Sequence, residues 1–105
     1  MAQWDVYSNP SVRLRDEIPF LLDLQSDLLS GLETRLVAPL ARTRLPAAGL
    51  PRRLCPAFTV GGQAVVLLPH EAGPISARLL KHRVVSLRPH AHDIVGALDA
   101  VIGGV

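Results

Sequence analysis

The chain has 105 residues, of which 49% are hydrophobic and 19% charged, so we expect one folded domain with one core, residues 1–105. No apolar run reaches the length of about 18 residues that crosses a bilayer, and the first residues lack the pattern of a signal peptide. Cys55 is the only cysteine, which excludes an intrachain disulfide. These features predict a cytoplasmic protein without a membrane partner, and the formal net charge of +2 is only mildly basic.

The first half of the chain begins with alternating apolar and polar residues at 3–7, which predict a half-buried strand. A turn and an exposed loop follow. The central stretch, 18–41, allows two interpretations. Leucines at three- and four-residue steps are typical of one helix face; these are Leu21, Leu24, Leu28, Leu32 and Leu36. Alternation around Leu22, and a second apolar run that begins at Thr34 and stops at Pro39, indicate two strands equally well. Periodicity leaves both interpretations open.

The second half begins with a predicted long loop, 42–53, which is rich in arginine, proline and glycine. Apolar runs at 54–60 and 63–68 flank Gly61-Gly62 and predict a hairpin with a two-residue turn. Further short strands are predicted at 75–80 and 84–87. Pro89 opens a final helix, one face of which carries Ile94, Leu98, Val101 and Val105. The sum is a mainly β fold, a small SH3-like barrel of antiparallel sheet closed by a C-terminal helix.

The residues that could carry chemistry do not form a recognisable centre. His90 and His92 are two positions apart on the predicted helix and face different directions, and no HExxH or paired CxxC occurs, so we expect no metal site. Cys55 falls in a predicted buried strand, where a thiol acts as a small apolar filler. No serine motif for nucleophilic catalysis is present. We therefore predict no catalytic residues, no cofactor and no enzyme activity.

Basic side chains form two groups, one in the predicted loop and one at Arg78, Lys81, His82, Arg83 and Arg88. Such groups attract phosphate or acidic peptides, although an ordinary solvated surface explains them equally well. One Trp, one Tyr and two Phe are too scattered for base stacking, so direct nucleic-acid binding by this chain alone is not expected. The class of function that remains is a protein that acts by binding another protein.

Two segments resemble the central motif of the CcdB family, toxins of plasmid and chromosomal toxin–antitoxin modules. Leu-Leu-Asp-Leu-Gln-Ser-Asp-Leu-Leu at 21–29 is followed by Arg-Leu-Val-Ala-Pro-Leu-Ala at 35–41. Val6-Tyr7, the Val60-Gly61-Gly62 corner and Asp93-Ile94 fall in the family's order, so the resemblance covers nearly the whole chain. It implies two strands in 18–41, a mainly β fold with a C-terminal helix, and a homodimer.

The resemblance also implies a function, because these toxins trap the GyrA subunit of DNA gyrase on cleaved DNA and are neutralised by a CcdA-like antitoxin. The family's gyrase-binding positions correspond here to Leu28, Leu29, Asp99, Ile102, Gly103, Gly104 and Val105. From sequence, core packing and exposure are equally open for the two leucines. A separate hypothesis is that an acidic tail of the antitoxin binds to the arginines of the predicted loop, Arg42, Arg44, Arg52 and Arg53.

One position departs from the family pattern. Plasmid-borne toxins of the family end in Trp-Gly-Ile, and Gly103 stands at the Trp position. A buried Trp commonly dominates a protein–protein interface. The alternative function is therefore a dimeric relative that is non-toxic, or has another target, and only engages an antitoxin-repressor.

Overall fold

Seven strands and one helix make up the part of the chain that this computed structural model describes, residues 2–42 and 53–104. They are β1 (Asp5–Ser8), β2 (Phe20–Asp23), β3 (Thr34–Arg42), β4 (Ala57–Val60), β5 (Gln63–Leu67), β6 (Gly73–Ser76), β7 (Arg83–Ser86) and α1 (Ala91–Gly103). The strands form one antiparallel sheet in the order β4-β5-β3-β2-β1-β7, and β6 pairs with β3 beside this path. The predicted fold class, a mainly antiparallel sheet with a C-terminal helix, is confirmed.

Strand β3 joins the two parts of the sheet because three other strands pair with it. Its residues 37–40 pair with β2, residues 34–37 with β6, and residues 40–42 with β5. Pro39 lies at the changeover from β6 to β5, where its carbonyl accepts a hydrogen bond from Leu68 N at 3.0 Å. A proline is tolerated at this point because neither β5 nor β6 needs its missing N–H. The strand therefore continues through Pro39 to Arg42, beyond the point at which the apolar run of the sequence stops.

The larger core lies on one face of the sheet. Val6, Leu22 and Ala38 stand side by side on β1, β2 and β3 and are fully buried. Successive residues of a strand point to opposite faces, so their neighbours Tyr7 and Val37 form a second, smaller cluster with Leu80 on the other face.

Helix α1 packs on the larger core through part of the predicted apolar face. Ile94, Ala97 and Ala100 are its buried residues, and Leu98 packs partly against the core. Val101, which the sequence places on the same apolar face as Ile94 and Leu98, is exposed. Within the two described ranges, no helix is long and apolar enough to cross a membrane.

The central stretch consists of two strands rather than one helix, with a single 3-10 turn, Asp27–Leu29, between them. Strand β1 begins two residues later than predicted, because Trp4 has a φ of 76° and turns the chain before Asp5. The hairpin prediction is confirmed: Gly61 and Gly62 have φ values of 56° and 78°, and Val60 pairs with Gln63.

Two strand predictions in the second half need correction. The strand predicted at 75–80 instead lies at Gly73–Ser76, and a 3-10 turn at Ala77–Leu79 ends it. The strand predicted from residue 54 begins at Ala57, so Cys55 is buried but lies outside a strand. Most of the predicted loop at 42–53 lies outside the described residues.

Candidate functional site

The loop between β2 and β3, residues 24–33, presents leucines to solvent. Its 3-10 turn begins after Ser26, whose hydroxyl oxygen accepts a hydrogen bond from Leu28 N at 3.2 Å. The side chain of Leu28 is 94% exposed and that of Leu29 50%. Of the two alternatives left open by the sequence, exposure is therefore the one observed.

The base of this β2–β3 loop is closed by the buried side chain of Gln25. Its Nε2 donates to Leu29 O at 2.9 Å and to Thr34 O at 3.0 Å, and its Oε1 accepts from Leu36 N at 2.9 Å. The Gln25 backbone N–H donates to Asp23 Oδ1 at 3.0 Å. The turn that carries the exposed leucines is thus attached to both flanking strands.

The outer side of the same loop is held through Asp27. Its Oδ1 accepts from Gln3 N at 2.9 Å, and its Oδ2 lies 3.9 Å from Arg88 Nη2. Gln3 Nε2 also donates to Leu24 O at 3.1 Å. These contacts connect the loop with the N-terminal segment and with the turn that precedes α1.

The end of α1 carries the other residues implied by the resemblance. Asp99, Gly103 and Gly104 are exposed, and Ile102 is 85% exposed. Gly104 has a φ of 68° and its N–H donates to Ala100 O at 2.9 Å, an ending that glycine favours because a left-handed φ is unstrained for it. Val105 lies outside the described residues.

The exposed leucines of the β2–β3 loop and the residues at the end of α1 lie near opposite ends of the helix. Helix α1 packs against the turns at Pro69–Glu71 and Arg88–His90, and Arg88 connects the β2–β3 loop to the second of these turns. The rise of an α-helix separates Ala91 from Gly103 by about 18 Å. Within one protomer, the loop is therefore held near the beginning of α1, while Ile102 lies at its far end.

The arginines assigned to the antitoxin are only partly described. Arg42 ends β3 and Arg53 follows the undescribed segment, and both are exposed. Arg44 and Arg52 lie outside the described residues. The second basic group is exposed throughout, although Arg83 forms an ion pair with Asp5 at 3.0 Å.

A buried ion pair beneath the β2–β3 loop was missed by the sequence reasoning. Arg35 Nε and Nη2 donate to Asp23 Oδ2 at 2.9 and 2.6 Å, and the two side chains are 1% and 0% exposed. Burial raises the pKa of the Asp23 carboxyl, while the hydrogen bonds from Arg35 and Gln25 oppose that rise. The one sequence signal was the presence of polar residues at 23 and 25 within a run of leucines.

The histidines and the cysteine considered from the sequence do not come together as a metal or catalytic site among the described residues. Among the described residues, no group of three or more His, Cys, Asp or Glu side chains could hold a metal ion. His90 instead makes an edge contact with Phe58, with ring centroids 5.2 Å apart. Burial raises the pKa of the Cys55 thiol, which disfavours the reactive thiolate.

Comparison with known protein families matches residues 3–104 to the CcdB protein family. The match includes every described strand, the β2–β3 loop and helix α1. The CcdB family consists of toxins from toxin–antitoxin modules that poison DNA gyrase rather than catalyse a reaction. The agreement of the central motif, the antiparallel sheet and the terminal helix over nearly the whole chain leads to one conclusion: this protein belongs to the CcdB family.

Proposed function

We propose that this chain is the toxin of a type II toxin–antitoxin system. In this proposal it is a single-domain homodimer that inhibits DNA gyrase by binding the GyrA subunit, has no catalysis of its own, and is neutralised by a CcdA-like antitoxin. Membership of the CcdB family supports the type of module. The observation that carries the proposal at the level of residues is the 94% exposure of Leu28 on a loop that is hydrogen-bonded at its base.

Single exposed apolar side chains are common on protein surfaces, and these two leucines differ in that hydrogen bonds hold their turn in place. Leu28 and Leu29 occupy a turn that Gln25 fixes from the inside and Asp27 from the outside. Because hydrogen bonds already hold the backbone of this turn, little further backbone freedom is lost when its leucines enter a partner's pocket. That property suits an anchor residue of a protein–protein interface.

Dimerisation is the proposed way in which the two groups of residues act together. Leu28 lies near the start of α1 and Ile102 at its far end, so one protomer spreads them apart. A two-fold dimer presents each group twice and offers a second protomer's helix end beside the first protomer's loop.

The decisive experiment measures gyrase-dependent cleavage of supercoiled plasmid by the purified protein. Leu28→Asp should reduce cleavage at least tenfold, because a charge in an apolar pocket opposes binding. Val12→Asp is the matched control, since Val12 is also an exposed apolar residue in a 3-10 turn but belongs to another loop. Equal cleavage by Leu28→Asp and Val12→Asp would remove the β2–β3 loop from the proposed interface.

For the antitoxin, we propose that the segment bounded by Arg42 and Arg53 receives an acidic tail that folds on binding. Changing Arg42, Arg44, Arg52 and Arg53 to Ser should slow association and flatten its dependence on salt. Arg13→Ser alters an exposed arginine elsewhere and serves as the control. An antitoxin affinity that is unchanged between low and high salt would exclude this segment as the electrostatic contact.

A second candidate function is supported by Gly103. The last residue of α1 has no side chain at the position where the resembled toxins carry Trp. The chain would then be a dimeric binding protein that engages an antitoxin-repressor but does not poison gyrase. Absence of plasmid cleavage, together with tight binding of the antitoxin, would select this function.

A further inference from the structure

The side chain of Gln25 has a bonding pattern that a purely space-filling core residue would not need. Both Nε2 hydrogens are directed to carbonyl oxygens, those of Leu29 and Thr34, and Oε1 accepts from Leu36 N. Leu29 belongs to the 3-10 turn Asp27–Leu29, and Thr34 and Leu36 belong to the start of β3. One buried amide thus joins the loop to the strand that follows it.

Two backbone bonds also tie the ends of the loop to the sheet, from Leu24 N to Leu36 O at 2.8 Å and from Ala77 N to Glu33 O at 2.9 Å, but neither involves the turn Asp27–Leu29. The Leu28 side chain is in solvent, and its backbone N–H bonds only to the neighbouring Ser26 hydroxyl. Leu29 N and Ser30 N bond to Ser26 O and Asp27 O, which are bonds within the turn itself. Local bonds fix the shape of the turn, whereas the Gln25 bonds fix its position on the sheet.

We infer that Gln25 is a positioning residue for partner binding, which acts through Leu28 and Leu29 without contacting the partner. It holds the β2–β3 loop in the conformation that presents the two leucines, so that this ordering does not have to occur during binding. The inference rests on the proposed function, because it assigns a residue to the same interface. Asp27 and Gln3 support the loop from the outside, at more exposed positions.

The variant that tests the inference is Gln25→Met. Methionine keeps the length and burial of the side chain but removes all three of its hydrogen bonds. The substitution leaves three backbone groups without a partner: the carbonyls of Leu29 and Thr34 and the N–H of Leu36. They regain hydrogen bonds only if the loop moves and water enters. We expect about tenfold weaker binding of a purified GyrA fragment. Gln63→Met is the matched control, because the Oε1 of Gln63 is buried with no hydrogen-bond partner among the described residues.

A double-mutant cycle separates positioning from general destabilisation. Gln25→Met is measured alone and in a Leu28→Ala, Leu29→Ala background. If Gln25 acts through the leucines, the tenfold loss of affinity should shrink to less than about twofold once they are absent. An equal loss in both backgrounds would overturn the inference, because Gln25 would then affect binding without the leucines.

Amide hydrogen exchange supplies a readout that does not depend on gyrase. Gln25→Met should accelerate exchange at residues 28–33 and leave the buried strands β1 and β5 unchanged, whereas Gln63→Met should not affect the loop. Unchanged exchange in the loop would overturn the inference whatever the binding result. If the wild-type protein does not bind GyrA at all, the proposed function fails, and the exchange experiment still decides whether Gln25 positions the loop.

Discussion

At the scale of single residues, the buried Arg35–Asp23 pair carries a large desolvation cost. Both side chains are buried, and Arg35 Nη1 finds no hydrogen-bond partner among the described residues. Removing two charges from water costs several kcal/mol each, and their attraction offsets this only when the geometry is good. The pair lies directly below Gln25, whose N–H bonds to Asp23, so it also supports the base of the β2–β3 loop.

The first prediction concerns this pair. Arg35→Met should lower the free energy of unfolding by about 3–5 kcal/mol, because it leaves the Asp23 carboxylate buried without its partner. The double variant Arg35→Met, Asp23→Leu should recover most of that loss. Urea unfolding of both variants at pH 7 provides the measurement, and equal losses in the single and double variants would contradict the prediction.

The stability loss of the Arg35→Met variant should depend on pH, because it comes from the charge of the Asp23 carboxylate. Burial already raises the pKa of Asp23 in the folded state, and removal of Arg35 takes away the hydrogen bonds that oppose this rise. A carboxyl whose folded pKa is raised contributes stability at low pH and loses it as the pH rises through that pKa. The cost of Arg35→Met should therefore be largest at pH 7 and decrease towards pH 4.

At the scale of elements, helix α1 serves two purposes with two faces. Ile94, Ala97 and Ala100 are buried, and Ile94 belongs to the larger core, while Val95, Val101 and Ile102 are exposed. Ile94 is fully buried within the chain itself, so only the outer residues remain for a partner.

The second prediction concerns the end of α1. Gly103→Trp should strengthen plasmid cleavage by gyrase, because an indole at the exposed helix end restores an aromatic anchor. It also adds helix propensity of several tenths of a kcal/mol. Gly96→Trp is the matched control, since Gly96 is exposed in the same helix and a Cβ there meets no atom within 4 Å.

The outcomes of this comparison are distinct. Stronger cleavage by Gly103→Trp alone would assign the gain to the helix end, and a similar gain for Gly96→Trp would assign it to helix stability. If neither the wild type nor Gly103→Trp produces cleavage, the chain end has no role at gyrase. Strong cleavage by the wild type would show that this end works without an aromatic side chain.

At the scale of the whole molecule, the third prediction is a dimer. The exposed apolar residues include the loop leucines and the outer face of α1, and a second copy of the chain would cover part of this surface. Sedimentation at micromolar concentration should give a mass twice that of the 11.3 kDa chain. A monomer across the concentration range would remove the proposed means of uniting the Leu28 and Ile102 surfaces.

The sequence by itself determined the features that depend on local chemistry. The two-residue hairpin turn needs a positive φ at both positions, which two adjacent glycines adopt without strain. Pro89 indicated a helix start nearby, but it lies in the 3-10 turn Arg88–His90, and α1 begins at Ala91 rather than at Pro89. The family resemblance also followed from sequence, because the central motif has a specific spacing. The helix and strand interpretations of 18–41, in contrast, could not be separated by periodicity alone.

Only the tertiary structure decided which side chains face solvent and which long-range pairs form. Leu28 is exposed on a turn that Gln25 connects to β3 through bonds to Thr34 and Leu36, contacts that span up to 11 positions in sequence. Arg35 meets Asp23 because β2 and β3 pair antiparallel, which places the two side chains together on the second face of the sheet. Burial depends on what packs over a residue, and strand pairing brings those residues from distant parts of the chain.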